Sequence, residues 1–375
     1  MTRRILHIID TLQRQGAADQ LCLLATGLPP DGFSNHVVSL DDGGPLAQTL
    51  ARAGVPVTCL GRRWSMDPCA FTRLCRLTRH LRPDVIQTWT PAAREYGALA
   101  ARWCRARSPG AACSFVAAWR SVDRNVPDWR QRWAGEQASD VVVNSEAMRQ
   151  ACSVLGISNN KVHLIPNAVA VSRPAIVSRR QLLDRLEVDG GFQLDTDARL
   201  IASAGPLLRD RRLKDVIWAA DLLKVIREDF HLLIFGDGPQ RERLELFRDQ
   251  VEIADKVHFM GDVVDLCDWL PHIDLLWSAR QAPGTPNAVL EAMAAARPVV
   301  ACDAPGMREL VSNERTGYLV RPGHRAGLTQ WADYILNHPE KAQQIGEAGR
   351  AKALAEFSVE RMVAGYVELY GKLMR

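Results

Sequence analysis

Two similar α/β halves, each built on a parallel β-sheet, are what the sequence predicts, and three observations predict it. Short apolar strands alternate with helical stretches from Ile5 to Pro166. The segment from Asn167 to Arg199, which holds Pro174 and Asp189-Gly190-Gly191, breaks that rhythm. A second alternating series begins at Leu200. Alternation of this kind indicates βαβ units, whose strands run parallel. At 375 residues the chain is long enough for two ordinary cores.

Taken in order, strands are expected at Ile5–Ile9, His36–Leu40, Val57–Leu60, Val85–Trp89, Phe115–Trp119, Val141–Asn144 and Val162–Pro166. No signal-peptide apolar region precedes the first of them. Helical patterns lie between, at Ala17–Gly27, Pro45–Arg52, Pro68–Leu81 and Arg94–Arg105. Right-handed crossovers would put the loops after Ile9, Trp89 and Trp119 on one ligand-facing edge. The irregular segment reads as an interdomain crossing with a polar, helix-like run inside it. Domains are therefore expected at 1–169 and 199–357, with 170–198 as linker. In the second half, strands Leu200–Ala204, Phe230–Phe235, Val257–Met260, Leu275–Ser278, Pro298–Ala301 and Thr316–Val320 alternate with helices such as Asp215–Arg227, Arg241–Gln250 and Val263–Leu270. The last amphipathic run, Val359 to Met374, is long enough to leave its own domain.

Composition narrows the function classes. Apolar content of 47% and charged content of 24% are those of an ordinary soluble protein, and no apolar run is long enough to span a membrane. Net charge is only +4, but Met1–Val169 carries 20 Lys+Arg against 13 Asp+Glu, and the remainder 27 against 30. A basic first half points to an anionic partner. Nucleic acid is not the partner expected, because the basic residues follow no recognition motif. The nine cysteines form no CxxC pair and no metal-spaced cluster with histidine. They read as small buried hydrophobes in a reducing, cytoplasmic compartment, with no metal site.

The stretch Leu275–Asp303 combines strand, loop, helix and strand, with one carboxylate, Glu291, a turn inside the helix. Open α/β sheets bind ligands at the carboxyl ends of their strands, where a helix start offers free N–H groups to phosphate. Glu291 could merely compensate the helix dipole. Its apolar neighbours Val289, Leu290, Ala292 and Met293 favour a ribose diol instead. The run Gly205 to Asp215 carries Arg209, Arg211, Arg212 and Lys214 between a strand end and a helix start. A solvated loop is the bland alternative; arginine forks at a sheet edge favour diphosphate. Gly236 after strand Phe230–Phe235, and Gly16 at the start of the first helix, are either simple turns or points of close ligand approach.

On these residues the chain resembles the retaining glycosyltransferases of family 4. The matching stretches are Asn144–Val169, Ala204–Ala220, Leu232–Glu245, Val257–Leu270 and Gly284–Val320, together with HIIDTLQRQGAADQLCLLATGL at His7–Leu28. The resemblance implies the GT-B fold, two Rossmann-like domains facing each other across a cleft. It implies an acceptor on the first domain, a nucleotide sugar (UDP- or GDP-linked) on the second, and a C-terminal helix, 358–375, crossing back to the first. It further implies retention at the anomeric carbon and no metal or other cofactor, positive side chains taking the cation's place. Glu291 matches the second acid of the family's paired glutamates, on the ribose. Gly284, Thr285 and Asn287 match the loop and helix start near sugar and phosphate. Gly16 matches the second glycine of the N-terminal glycine loop, and Arg211, with Lys214 close by, the family's lysine.

Four positions depart from the family pattern. Pro283 stands where the first glutamate is expected, and Pro206 follows Gly205 where arginine is usual. Gln15-Gly16-Ala17-Ala18 replaces a loop richer in glycine, and Arg120 or Trp89 occupies the place of a histidine on the acceptor side. Two function classes follow. One is a glycosyltransferase acting on a polysaccharide or lipid-linked glycan; the other is a degenerate member that binds a glycan, nucleotide or protein partner without turnover. No catalytic residue is assigned. Six of the ten tryptophans lie between Arg62 and Trp133, and Trp129 and Trp133 share a helical face among arginines. They either fill the first core or give the N-terminal domain peripheral contact with the inner face of a membrane.

Overall fold

The computed structural model describes residues 2–14, 16–107, 113–121, 127–170, 178–190, 194–195, 197–262 and 266–373. The chain forms two compact units. One comprises Met1–Ala168 with Pro283–Thr285 and Val359–Arg375; the other comprises Val169–Ala282 and Pro286–Ser358.

In the first unit the order is β1 (Arg3–Ile9), α1 (Gly16–Gly27), β2 (Phe33–Ser39), α2 (Pro45–Arg52), β3 (Val57–Cys59), α3 (Pro68–Leu81) and β4 (Val85–Thr88). Then come α4 (Pro91–Arg107), β5 (Ser114–Trp119), α5 (Asp128–Gln137), β6 (Asp140–Val143), α6 (Glu146–Val154) and β7 (Val162–Leu164). The sheet is parallel, in the order β3-β2-β1-β4-β5-β6-β7. Along β1, Ile5 and Ile9 enter the core on one face, Leu6 and Ile8 the core on the other. Side chains alternate across a strand, and a parallel sheet is covered on both faces, which is why the run is almost wholly apolar.

The second unit contains α7 (Arg179–Gly190), β8 (Arg199–Ala204), α8 (Leu213–Lys224), β9 (Phe230–Phe235), α9 (Arg241–Gln250), β10 (Val257–Gly261) and β11 (Leu275–Ser278). It continues through α10 (Asn287–Ala294), β12 (Val299–Cys302), α11 (Pro305–Leu310), β13 (Tyr318–Val320), α12 (Arg325–Asn337) and α13 (Pro339–Glu356). This sheet too is parallel, in the order β10-β9-β8-β11-β12-β13. The final helix, α14 (Val359–Leu373), belongs to the first unit. Its Met362, Tyr366, Leu369 and Tyr370 recur at helical spacing and are buried in the core beneath α1.

The expected α/β halves on parallel sheets are therefore present, with element ends moved by a few residues. The helix expected at 263–270 is replaced, in its described part, by two 3-10 turns, Leu266–Asp268 and Leu270–His272. Pro271 lacks the N–H a helix needs and restricts the residue before it. Within the expected linker, α7 docks on the second unit. Leu183 joins its core, and Arg179 donates to the carbonyls of His272 (2.6 Å) and Ala198. Cys22, Cys75, Cys152 and Cys302 are buried as expected, but Cys59, Cys69 and Cys267 are exposed; none of the nine is in a disulfide. No helix among the described residues is long and apolar enough to cross a membrane.

Candidate active site

In the second unit, β8 and β11 are neighbours, and the chain winds outward from them in opposite directions. That is a topological switch point, and ligands bind there at the carboxyl ends of the strands. Two loops leave this edge, Gly205–Arg212 after β8 and Ala279–Pro286 after β11. Asp210 ties them: its carbonyl accepts from the Gln281 N–H (3.1 Å), and its carboxylate lies 3.7 Å from Nε of Arg280. Arg211, half-buried, spreads its guanidinium over Gly205, so close that a Cβ on that glycine would meet Nη2 at 2.5 Å. Burial first, then repulsion from Arg280, push the Arg211 pKa down to about 10 against the pull of Asp210. Arg280 is itself buried, and burial lowers its pKa against the same carboxylate. Two guanidinium groups held partly out of water beside the single carboxylate of Asp210 leave an excess of positive charge that an anion would offset.

Around this pair the sequence-selected residues divide. Glu291 stands in α10, half-buried, and Asn287 is the first residue of that helix. No side chain caps α10 and no acid lies in its first turn, so its N-terminal dipole is uncompensated by carboxylate. Gly236, directly after β9, stands at φ 115 with the Gly205 carbonyl 2.3 Å from where a Cβ would stand, which leaves room for glycine alone. Lys214 is not brought to Arg211. Its ammonium lies over the Phe247 ring (4.6 Å) in a separate cavity with Arg209 and Arg212, because it sits a turn further along, at the start of α8.

The first unit holds a second polar cluster, and Pro283–Thr285 is part of it. Ser145 caps α6 by accepting from the Met148 N–H (3.1 Å), and donates to the Pro283 carbonyl (2.9 Å). Asn167 donates to the Thr285 carbonyl (3.2 Å) and accepts from Asn144 (3.2 Å) and Arg120. Gly284 meets the Arg120 carbonyl so closely that a Cβ would lie 2.2 Å from it. Thr285 Oγ1, Asn144 Oδ1 and Arg120 Nε are buried with no hydrogen-bond partner. Such groups are rare, and a bound polar molecule would satisfy them.

Arg120 also donates to Tyr366 Oη (3.1 Å) and lies 4.6 Å over the Trp89 ring. Trp89 itself is 1% exposed and donates to Nδ1 of His7 (3.3 Å), so it supports Arg120 from beneath and is closed to an acceptor. Gly16 is exposed as the first residue of α1. Of the paired tryptophans, Trp129 is exposed and Trp133 packs half-buried on the core, so they do not form one open face. Among the described residues no group of three or more His, Cys, Asp or Glu is placed to hold a metal ion.

Comparison with known proteins gives this arrangement its family. Residues 14–173 match the family described as Glycosyltransferase Family 4, and residues 184–352 match Glycosyl transferases group 1. The chain belongs to glycosyltransferase family 4. Among relatives of this glycosyltransferase, EpsD of Bacillus subtilis (strain 168) is 26% identical over 326 residues, 84% of each chain. The lipopolysaccharide core biosynthesis glycosyltransferase LpsE of Rhizobium meliloti (strain 1021) is 22% identical over 86% of this chain and 93% of its own. Anabaena HepE in complex with UDP-glucose superposes with a TM-score of 0.83, at 20% identity, over 98% of this chain and 99% of that one. A glycosyltransferase from Rickettsia africae gives 0.78 at 19% identity, over 100% and 99%. The fold is GT-B.

Three contributors to these clusters escaped sequence reasoning. Arg280 follows an apolar strand and precedes the glycine loop, but a lone arginine carries no spacing signal. Asn144 and Asn167 lie within stretches that match the family, yet only folding shows that they hold the Pro283–Thr285 backbone.

Proposed function

We propose that this glycosyltransferase moves a sugar, with retention, from a UDP- or GDP-linked donor held by the second unit to a polysaccharide or lipid-linked glycan held by the first. The observation that carries it is the Arg211 and Arg280 pair at the β8/β11 switch point. Two preorganised guanidinium groups neutralise a departing diphosphate as a metal ion would, and burial strengthens them. The N-terminus of α10 adds its dipole, and Glu291 serves the ribose hydroxyls. HepE binds UDP and UDP-glucose in solved complexes, which supports a nucleotide-sugar donor. The name of LpsE supports a glycan acceptor.

Acceptor and membrane contact go to the outer face of α3. That helix carries exposed Arg73, Arg76 and Arg79 and no acid, and beside it Trp64 and Met66 are 64% and 41% exposed. Indole and thioether among arginines suit the headgroup region of an anionic bilayer, which supports peripheral attachment at the cytoplasmic face.

Pro283 and Pro206 favour a second outcome, binding without turnover, because neither offers the side-chain acid or base expected there. Incubation with UDP-, GDP- and ADP-sugars and a glycan acceptor separates the two. Transfer with the donor's anomeric configuration retained, read by NMR, is the expected result. No thermal shift with any nucleotide sugar at about millimolar concentration would overturn the donor assignment. Gain of binding or turnover in Pro206→Arg with Pro283→Glu would favour degeneracy.

A further inference from the structure

The turn between β8 and α8 presents its arginines to two sides. Arg211 lies over Gly205 and beside Arg280. Arg209 and Arg212, its neighbours in the chain, instead line a cavity of about 280 Å³ together with Lys214, Arg243 and Arg325. Asp215 is the acid that lines it, and this buried carboxylate is already shared. Arg212 Nε lies 2.5 Å from one of its oxygens and Arg325 Nε 2.9 Å from the other. Aromatic faces hold cations too: Lys214 lies over Phe247, and Arg325 lies in addition, at 4.8 Å, over Trp218. Arg212 holds its place from φ 50, a left-handed conformation unusual for arginine, at the start of α8. Five cationic side chains thus surround one volume with a single carboxylate among them. Like charges at such spacing repel, and an arrangement that fixes them with acid and aromatic rings is preorganised for an anion.

We infer that this cavity binds the phosphate monoester or diphosphate of a small molecule, at a place separate from the donor nucleotide. Separation follows from the lining: Arg211, Arg280, Glu291 and Gly236 take no part in it. The volume lies at the lower end of small-molecule sites, and Leu213 and Leu244 give it an apolar side for the carbon skeleton. Because Arg209 and Arg212 flank Arg211, an anion here also steadies the turn that positions Arg211.

The test is calorimetric titration of the full chain with inorganic diphosphate, alone and with UDP-glucose at saturation. Diphosphate is expected to bind with UDP-glucose already bound, whose own affinity is retained or tightened. Arg243→Glu is expected to weaken that binding by about tenfold, the loss of one charged contact, and Arg243→Gln by less. Arg243 is exposed on α9, so unchanged melting temperatures are expected in both variants. Displacement of diphosphate by UDP-glucose, or equal affinity in Arg243→Glu and the parent, would overturn the proposal. If no nucleotide sugar binds while Arg243-sensitive diphosphate binding persists, the donor assignment fails and the cavity stands. Calorimetric titration of the Arg76→Glu, Trp64→Ser variant, whose α3 face is disabled, with phosphatidylglycerol vesicles separates the sources: Arg243-sensitive heat would identify the phosphate as a lipid headgroup, and no such heat assigns the site to a soluble phosphate.

Discussion

Arg280 and His7 show how single side chains acquire their chemistry from burial. Arg280 sits 3.7 Å from Asp210 and repels Arg211, so its removal leaves the pocket with half of its cationic pair. Arg280→Ala is expected to weaken UDP-sugar binding by roughly 1.5–3 kcal/mol, the usual worth of a hydrogen bond to a charged group. Isothermal titration reads this directly, and an unchanged Kd would remove Arg280 from the site. His7 is fully buried; its Nδ1 accepts from Trp89, so Nε2–H must donate to Asn35 Oδ1 (3.2 Å), and the ring is neutral. Burial lowers its pKa to about 4 despite the Asn35 bond. The unfolded chain then binds a proton below about pH 6.5 that the folded chain refuses until about pH 4. Stability is therefore full above pH 6.5 and falls as the pH drops through that window, by on the order of 3 kcal/mol for this residue. His231 and His258, stacked and 3.0 Å apart, are lowered in the same direction by burial. Urea midpoints measured from pH 7 to pH 4 should drop, and the drop should be smaller in His7→Gln.

At the scale of elements, the loop between β11 and α10 is decided by backbone contacts. Its carbonyls at Pro283 and Thr285 accept from Ser145 and Asn167, and Gly284 touches the Arg120 carbonyl. A methyl group there meets rigid backbone, so Gly284→Ala should cost about 1–3 kcal/mol of stability and disturb Arg120. A denaturation midpoint equal to the parent's would refute that packing. The strand–loop–helix–strand unit around Glu291 was legible in the sequence because a buried parallel strand and an amphipathic helix have different apolar periods. The apolar pattern at 263–270 suits a helix, but Pro271 limits its described part to 3-10 turns. Lys214 is close to Arg211 in sequence, but the left-handed Arg212 between them (φ 50) breaks the helical run and sends Lys214 to another side of the turn.

For the molecule as a whole, charge is divided between the halves. Part of the basic excess of the first half lies on α3, where exposed Arg73, Arg76 and Arg79 stand near exposed Trp64 and Met66. Anionic vesicles should therefore pellet the parent at low salt and release it as salt screens the arginines. The double variant Arg76→Glu with Trp64→Ser should stay in the supernatant, and equal pelleting of both proteins would remove this face from the membrane. Of the tryptophans, Trp89 and Trp119 fill the core while Trp64 and Trp129 stand in solvent, a division no composition count anticipates.

By itself the sequence determined the class of the fold, the two parallel sheets, the family, and the carboxyl-edge loops that would carry ligand chemistry. These depend on local periodicity and on contiguous motifs, which a linear chain displays. Only the tertiary structure decided that Arg280 joins Arg211, that Trp89 is buried under Arg120, and that Lys214 turns to another cavity. Those outcomes depend on contacts between residues tens of positions apart and on which side of a turn a side chain leaves. Packing sets both, and packing has no signature in one dimension.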